Sequence, residues 1–140
     1  MTTTAIEVLV AGESAECRRD LGSILTRFGV SAAYSSTVRE TQRILAERPV
    51  WLIFCDEELA DGDFRDVLRA AKTSGGRVPV VISTRNDDWD NYLEALRLGA
   101  FDYLVGPFSA ADVELLVRYA FRSAQAHKPA RNGQRAPQAA

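Results

Sequence analysis

Asp56 stands immediately after five consecutive apolar residues, Trp51-Leu52-Ile53-Phe54-Cys55, and Glu57-Glu58 and the turn-forming Asp61-Gly62-Asp63 follow it at once. The chain makes similar abrupt changes elsewhere. Ala11 gives way to Gly12-Glu13, Ile82 to Ser83-Thr84-Arg85, and Val105 to Gly106-Pro107. Brought to one place, these residues supply carboxylates, hydroxyls and one cation. Carboxylate and carbonyl oxygens suit a hard cation such as Mg²⁺, which keeps several waters and bridges to a phosphoryl group.

Other chemistries are poorly supplied. The single histidine, His127, lies in a polar C-terminal stretch, so Ser-His-Asp and Cys-His catalysis are nearly excluded. Cys17 and Cys55 are too few and too far apart for a disulfide framework or a zinc site. Both read as core residues, with a redox role for Cys55 beside Asp56 as the alternative. Neither Gly-x-Gly-x-x-Gly after the first strand nor a Walker motif is present, which disfavours a nucleotide-binding domain or a small α/β enzyme.

The reactive residues gather only if the elements before them are parallel strands. A run as short as Trp51–Cys55, bounded by Pro49 and by carboxylates, reads as a strand buried on both faces of a parallel sheet. Four further runs fit: Ile6–Ala11, a weaker Val30–Tyr34, Val78–Ser83 and Phe101–Val105. Amphipathic segments alternate with them, as expected for a sheet covered by helices on both faces. Such sheets bind ligands at the carboxyl ends of their strands.

Five helices are predicted. The first carries Cys17, Leu21, Ile24, Leu25 and Phe28 at helical spacing and stops at Gly29. The second opens on the capping box Thr37-Val38-Arg39-Glu40, buries Val38, Ile44 and Leu45, and ends before Pro49. Phe64, Val67, Leu68 and Ala71 mark the third, which Gly75-Gly76 breaks. Trp89, Leu93 and Leu96 mark the stripe of the fourth, closed by Gly99. The fifth follows Pro107, capped by Ser109 with Asp112 at its third position, and its inner face is Val113, Leu116, Val117, Ala120 and Phe121.

At 140 residues the chain is one domain with room for a full core. No apolar run approaches the ~20 residues of a membrane span, and no secretory signal is visible, so a cytoplasmic setting is expected. Three of the 17 basic side chains (Lys128, Arg131, Arg135) lie in 126–140, which holds no acid. Residues 1–125 therefore carry 14 basic and 19 acidic groups, a net charge of −5, which argues against direct nucleic-acid binding. Residues 126–140 have no core residues and read as a disordered tail or the start of a linker.

Over about residues 5–125 the chain resembles the receiver domains of two-component response regulators, the CheY-like family. The most specific pieces are Asp56 with Glu58-Leu59-Ala60-Asp61-Gly62-Asp63-Phe64, and Gly99-Ala100-Phe101-Asp102-Tyr103-Leu104-Val105-Gly106-Pro107-Phe108. The resemblance implies a flavodoxin-like, doubly wound sheet of five parallel strands in the order 2-1-3-4-5, with five helices. It implies that Asp56 accepts a phosphoryl group from a histidine kinase or phosphotransfer protein. Mg²⁺ would then be held by Glu13, Asp56 and the Glu58 backbone carbonyl. No enzyme activity is implied beyond self-phosphorylation and autodephosphorylation at Asp56. Partners would dock on the face of the fourth helix, fifth strand and fifth helix, where Tyr92, Leu115 and Tyr119 stand off the buried stripes and a homodimer is one expectation.

Two positions depart from the family. The acidic pair after the first strand reads Gly12-Glu13, and the lysine before the proline after the fifth strand is Gly106. That lysine pairs with the acceptor aspartate and then with its phosphoryl group, and losing one such donor commonly costs ~10²–10³ in rate. The Gly106-Pro107 bond matches the family's cis peptide position. Ser83 is favoured as the switch hydroxyl, with Thr84 if the register differs by one, and Tyr103 matches the aromatic switch position. Arg85 is either a replacement cation reaching over the pocket or a solvated arginine pairing with Asp87 or Asp88. Glu57 and Glu58 likewise read as a solvated acidic loop apart from the Glu58 carbonyl. The alternative function is a pseudo-receiver, an interaction module that signals without phosphoryl transfer.

Overall fold

The computed structural model describes residues 7–73, 78–85 and 88–126. Five strands form one parallel sheet: β1 (Glu7–Ala11), β2 (Ser31–Ser35), β3 (Val50–Cys55), β6 (Val80–Thr84) and β7 (Asp102–Val105). The two-residue strands β4 (Glu58–Leu59) and β5 (Gly62–Asp63) pair antiparallel in a separate hairpin. The order β2-β1-β3-β6-β7 is the expected 2-1-3-4-5 once that hairpin is set aside. The order reverses between β1 and β3, which places the sheet's topological switch point beside Asp56.

Alternation along each strand builds a core on both faces. Leu9, Ala11, Ile53, Cys55 and Ile82 point to one side, under α2 (Val38–Glu47), α3 (Phe64–Thr73) and α4 (Trp89–Arg97). Val8, Val10, Leu52, Phe54 and Val81 point to the other, under α1 (Ala15–Arg27) and α5 (Ala110–Ala126). Leu52 through Cys55 are wholly buried, as a strand covered on both faces requires.

The expected caps are in place. Gly29 and Gly99 have φ of 75° and 101°, and each closes a helix with paired bonds: Gly29 N–H to Thr26 O and Val30 N–H to Leu25 O, Gly99 N–H to Leu96 O and Ala100 N–H to Ala95 O. This geometry needs a left-handed residue, which glycine adopts without a Cβ clash. Thr37 accepts from Glu40 N–H at 2.9 Å, and Ser109 accepts from Asp112 N–H at 3.3 Å. The capping-box return arm from Glu40 reaches Ser36 N–H rather than Thr37. Asp61 supplies a further cap, accepting from Val38 and Arg39 N–H across 22–23 residues of sequence. Those bonds hold its carboxyl below the usual range.

Several boundaries and faces differ from expectation. β2 and β6 each end one residue later than read from the sequence, and of the expected turn Asp61-Gly62-Asp63, Asp61 lies in the turn of the β4–β5 hairpin while Gly62-Asp63 form its second strand. On α5, Phe121 lies at the rim, 39% exposed and edge-on to Trp51, and not on the inner face. The main correction concerns α4. Trp89, Leu93 and Leu96 are 65, 47 and 39% exposed, and the one fully buried residue of this helix is Ala95. The inward side of α4 is set by small and polar contacts: Ala95 packs on the core while Asn91 bonds to Glu57. The stripe therefore faces outward. Leu115 and Tyr119 on α5 are exposed as expected.

Ile6, Gly75-Gly76, Asp87, His127 and the tail beyond it lie outside the described residues. Among the described residues, no helix is long and apolar enough to cross a membrane.

Candidate functional site

Ala11 and Cys55 are register partners in the β1–β3 ladder, so Gly12 and Asp56 leave the sheet side by side. The Asp56 N–H donates to Ala11 O at 2.8 Å. Its carboxylate is buried, 8% exposed, and Oδ2 accepts from the Ser14 N–H at 3.1 Å. Ser14 also caps α1, taking the Cys17 N–H on its hydroxyl. Asp56 thus sits at the positive end of a 13-residue helix.

Gly12 is what permits this placement. A Cβ there would stand 2.6 Å from Asp56 Cβ and closer still to its carboxylate. The Asp56 side chain fills space that any larger residue at position 12 would claim. Burial pushes the Asp56 carboxyl from its ordinary 3.8 up to about 6, and the nearby Glu57 charge adds to the rise. The Ser14 amide, the Arg18 charge and the Cys17 side chain pull it back only in part. Arg18 is fixed nearby by donating to Gly12 O at 2.5 Å.

A pocket of about 340 Å³ opens over this carboxylate, and Glu13, Asp56, Glu58, Ser83, Thr84 and Arg85 all line it together with Ser14, Cys17 and Glu57. Glu13 is exposed, and its N–H donates to the Glu58 carbonyl at 3.3 Å, which brings two acidic residues and one carbonyl oxygen together. Among the described residues, no three carboxylate, histidine or cysteine side chains converge as a metal cluster. Both candidate switch hydroxyls reach the pocket from opposite faces of β6. Ser83 is 1% exposed and its Oγ has no hydrogen-bond partner, whereas Thr84 Oγ1 donates to Glu57 Oε1 at 3.1 Å.

Arg85 pairs with Asp20 at 2.7 Å and Glu16 at 3.3 Å, both on α1. Its side chain runs past Gly106, where an added Cβ would lie 3.6 Å from Arg85 Cγ. Cys17 lines the same pocket as Asp56 and Arg85. Cys55 points away, its thiol donating to Asp56 O at 3.1 Å, and complete burial pushes that thiol well above its ordinary pKa. The Gly106–Pro107 peptide is cis.

Glu57 is not a solvated loop carboxylate. It is half-buried and accepts three hydrogen bonds: Thr84 Oγ1 on Oε1 at 3.1 Å, and Asn91 Nδ2 and Tyr103 OH on Oε2 at 3.1 and 2.6 Å. Tyr103 is thereby turned toward the site and meets Tyr92 edge-on at 5.3 Å, while Tyr92 stacks on Trp89 at 5.1 Å. Ser14 and Arg18 are the site residues that spacing did not reveal, and for Glu57 it gave the place but not the three bonds. The one local signal for Ser14 is its place before a helix, where serine is a common cap.

The sequence model of the response regulator receiver domain matches residues 8–118. The transcriptional regulatory protein QseB of Escherichia coli O157:H7 is 37% identical over 98 residues, covering 67% of this chain and 45% of QseB. The luminescence regulatory protein LuxO of Vibrio campbellii is 34% identical over 102 residues, covering 73% of this chain and 22% of LuxO. The chain thus spans less than half the length of these relatives. Among solved structures, the receiver domain of a putative LuxO repressor protein from Vibrio parahaemolyticus superposes with a TM-score of 0.78 at 21% identity, covering 86% of this chain and 93% of that one. A CheY-like receiver from Methanospirillum hungatei gives 0.76 at 18% identity over 86% and 97% of the two chains, and so shares the fold. The chain belongs to the response regulator receiver domain family.

Proposed function

We propose that this receiver domain accepts a phosphoryl group on Asp56 from a histidine kinase or phosphotransfer protein, and that its α4–β7–α5 face responds. The observation that carries the reading is the buried Asp56 carboxylate at the sheet's switch point, in one pocket with Glu13, the Glu58 carbonyl and two hydroxyls. In the transfer, an Asp56 oxygen bonds to phosphorus as the bond from phosphorus to the donor atom breaks, giving an acyl phosphate. A carboxyl that titrates at about 6 is mostly ionised at neutral pH and so available to attack.

The chain's own groups divide the remaining work. The Ser14 N–H, at the α1 N-terminus, holds the acceptor in place. Ser83 Oγ, buried and unpartnered, is a ready donor to a phosphoryl oxygen, and Thr84 becomes a second once it leaves Glu57. Gly106 offers no side-chain cation. Arg85 replaces it in this reading, since its stem passes Gly106 and it lines the same pocket as Asp56. Glu13, Asp56 and the Glu58 carbonyl suit Mg²⁺, because a buried carboxylate with a raised pKa is short of positive charge and its neighbours are hard oxygen donors. When bound, the ion supplies positive charge against the phosphoryl oxygens.

A second reading, the pseudo-receiver, draws on the two glycines. Gly12 removes one carboxylate and Gly106 removes the lysine, while exposed Trp89, Leu93, Leu115 and Tyr119 remain as a docking or homodimer face. Beryllofluoride with Mg²⁺ separates the two. A change in Trp89 fluorescence that is absent in Asp56→Asn supports the switch, and no change at millimolar Mg²⁺ favours the pseudo-receiver. In either reading the domain works in the cytoplasm and does not itself bind nucleic acid.

A further inference from the structure

Glu57 is a single carboxylate that ties α4 to three neighbouring strands of the sheet. It follows the acceptor at the end of β3 and takes bonds from Thr84 at the end of β6, Asn91 in the first turn of α4, and Tyr103 on β7. Hydrogen bonds to a charged acceptor are among the stronger ones a folded chain makes, and the 2.6 Å bond from Tyr103 has the length usual for a hydroxyl on a carboxylate. Tyr103 in turn supports Tyr92 and Trp89, so the aromatic row reaches from Glu57 to the exposed face of α4.

We propose that Glu57 is a latch: it holds the Thr84 hydroxyl, Tyr103 and α4 together in the resting arrangement, so that all three are released as one unit. The geometry favours joint release. Oε2 is shared by Asn91 and Tyr103, and Oε1 of the same rigid group holds Thr84. A movement of the carboxylate that breaks one bond strains the others. The trigger rests on the phosphoacceptor reading: phosphorylation replaces the −1 charge of Asp56 by a phosphoryl group of about −1.5 to −2 beside Glu57, and its oxygens compete for the Thr84 hydroxyl. Like-charge repulsion and that competition act in the same direction, away from the latched state. A second tie, the two-pronged Arg65–Glu94 pair, also joins α3 to α4 but touches neither Thr84 nor Tyr103. It provides the control.

The test is amide hydrogen exchange of the unphosphorylated full chain, read over α4. Removing a charged acceptor of three bonds in Glu57→Ala is expected to speed exchange in α4 about tenfold or more. Tyr103→Phe is expected to speed it too, and the double variant to exceed Glu57→Ala by less than twofold, because both changes open the same latch. Arg65→Ala should also loosen α4, but its effect should multiply with that of Glu57→Ala. Exchange unchanged in Glu57→Ala, or fully multiplicative effects of Glu57→Ala and Tyr103→Phe, overturns the latch. Glu57→Gln, nearly the same shape with one acceptor oxygen, should fall between wild type and Ala, and it carries the same test if Ala does not fold. Intact mass after acetyl phosphate and Mg²⁺, taken on the same proteins, reports separately on Asp56. A chain that takes no phosphoryl group counts against the acceptor reading, while the exchange comparison still decides the latch.

Discussion

Replacing Asp56 by asparagine should make the domain more stable at neutral pH. Asparagine has nearly the shape of the carboxyl and can still accept from the Ser14 N–H, but it carries no charge to desolvate. The folded carboxyl titrates at about 6 rather than 3.8, chiefly because it is buried. Two pH units at ~1.4 kcal/mol each give about 3 kcal/mol held against the folded state when Asp56 is ionised. The sign is opposite to that of a salt-bridged aspartate. Between pH about 4 and 6 the folded chain keeps a proton that the unfolded chain has released, so the Asp56 contribution falls as pH rises. Below pH 4 both states are protonated and wild type and variant should be nearly equal. Above pH 6 the variant should lead by the full amount, about 3 kcal/mol or on the order of 10 °C in Tm for a chain of this size. Urea titrations of both proteins without divalent cations, from pH 4 to 8, measure the difference curve directly. A variant no more stable than wild type at pH 7, or a lead that shrinks as pH rises from 4 to 6, would refute the burial argument.

Three other substitutions address the neighbours of this carboxylate. Gly12→Ala puts a methyl group into the space of the Asp56 side chain and should destabilise the domain by ~1–3 kcal/mol in chemical denaturation. Pairing it with Asp56→Gly should remove most of that cost. In Gly106→Lys the new Cβ meets only ordinary contacts, at 3.4 Å from Phe108 and 3.6 Å from Arg85, so the variant should fold and raise the acetyl phosphate labelling rate by ~10²–10³. A rate within threefold of wild type would show that a lysine here is not what the chemistry lacks. Arg85→Ala should slow labelling at least ~10-fold if the guanidinium serves the phosphoryl group, but leave the rate unchanged if its role is confined to the Glu16 and Asp20 pairs.

The sheet was legible because its signals are local. Leu52–Cys55 form an unbroken apolar run because both faces of a central strand are covered, and Gly29 and Gly99 stand where helix ends need a left-handed residue. The α4 stripe shows the limit of such reasoning. Helical spacing shows that Trp89, Leu93 and Leu96 lie near one another, but not whether that side meets the sheet or solvent. Here Ala95 makes the buried contact and Asn91 faces Glu57, so the apolar stripe turns outward. The residues that meet at the strand ends were legible, but the long-range bonds among them left no trace. Glu57 looks like one acid in an acidic run, and its donors are 27, 34 and 46 residues further along. Asp56 and the Ser14 amide are 42 residues apart. Gly12 reads as a missing acid, whereas in the fold it is the space into which the Asp56 side chain packs.

The central claim is that Asp56 is a phosphoryl acceptor despite Gly12 and Gly106. Intact-mass analysis of the wild-type chain and Asp56→Asn after incubation with acetyl phosphate and Mg²⁺ tests it most directly. The expected result is a gain of one phosphoryl group on the wild type, lost on acid-base hydrolysis of the acyl phosphate and absent from Asp56→Asn. No gain on the wild type, or an equal gain on both proteins, would contradict it.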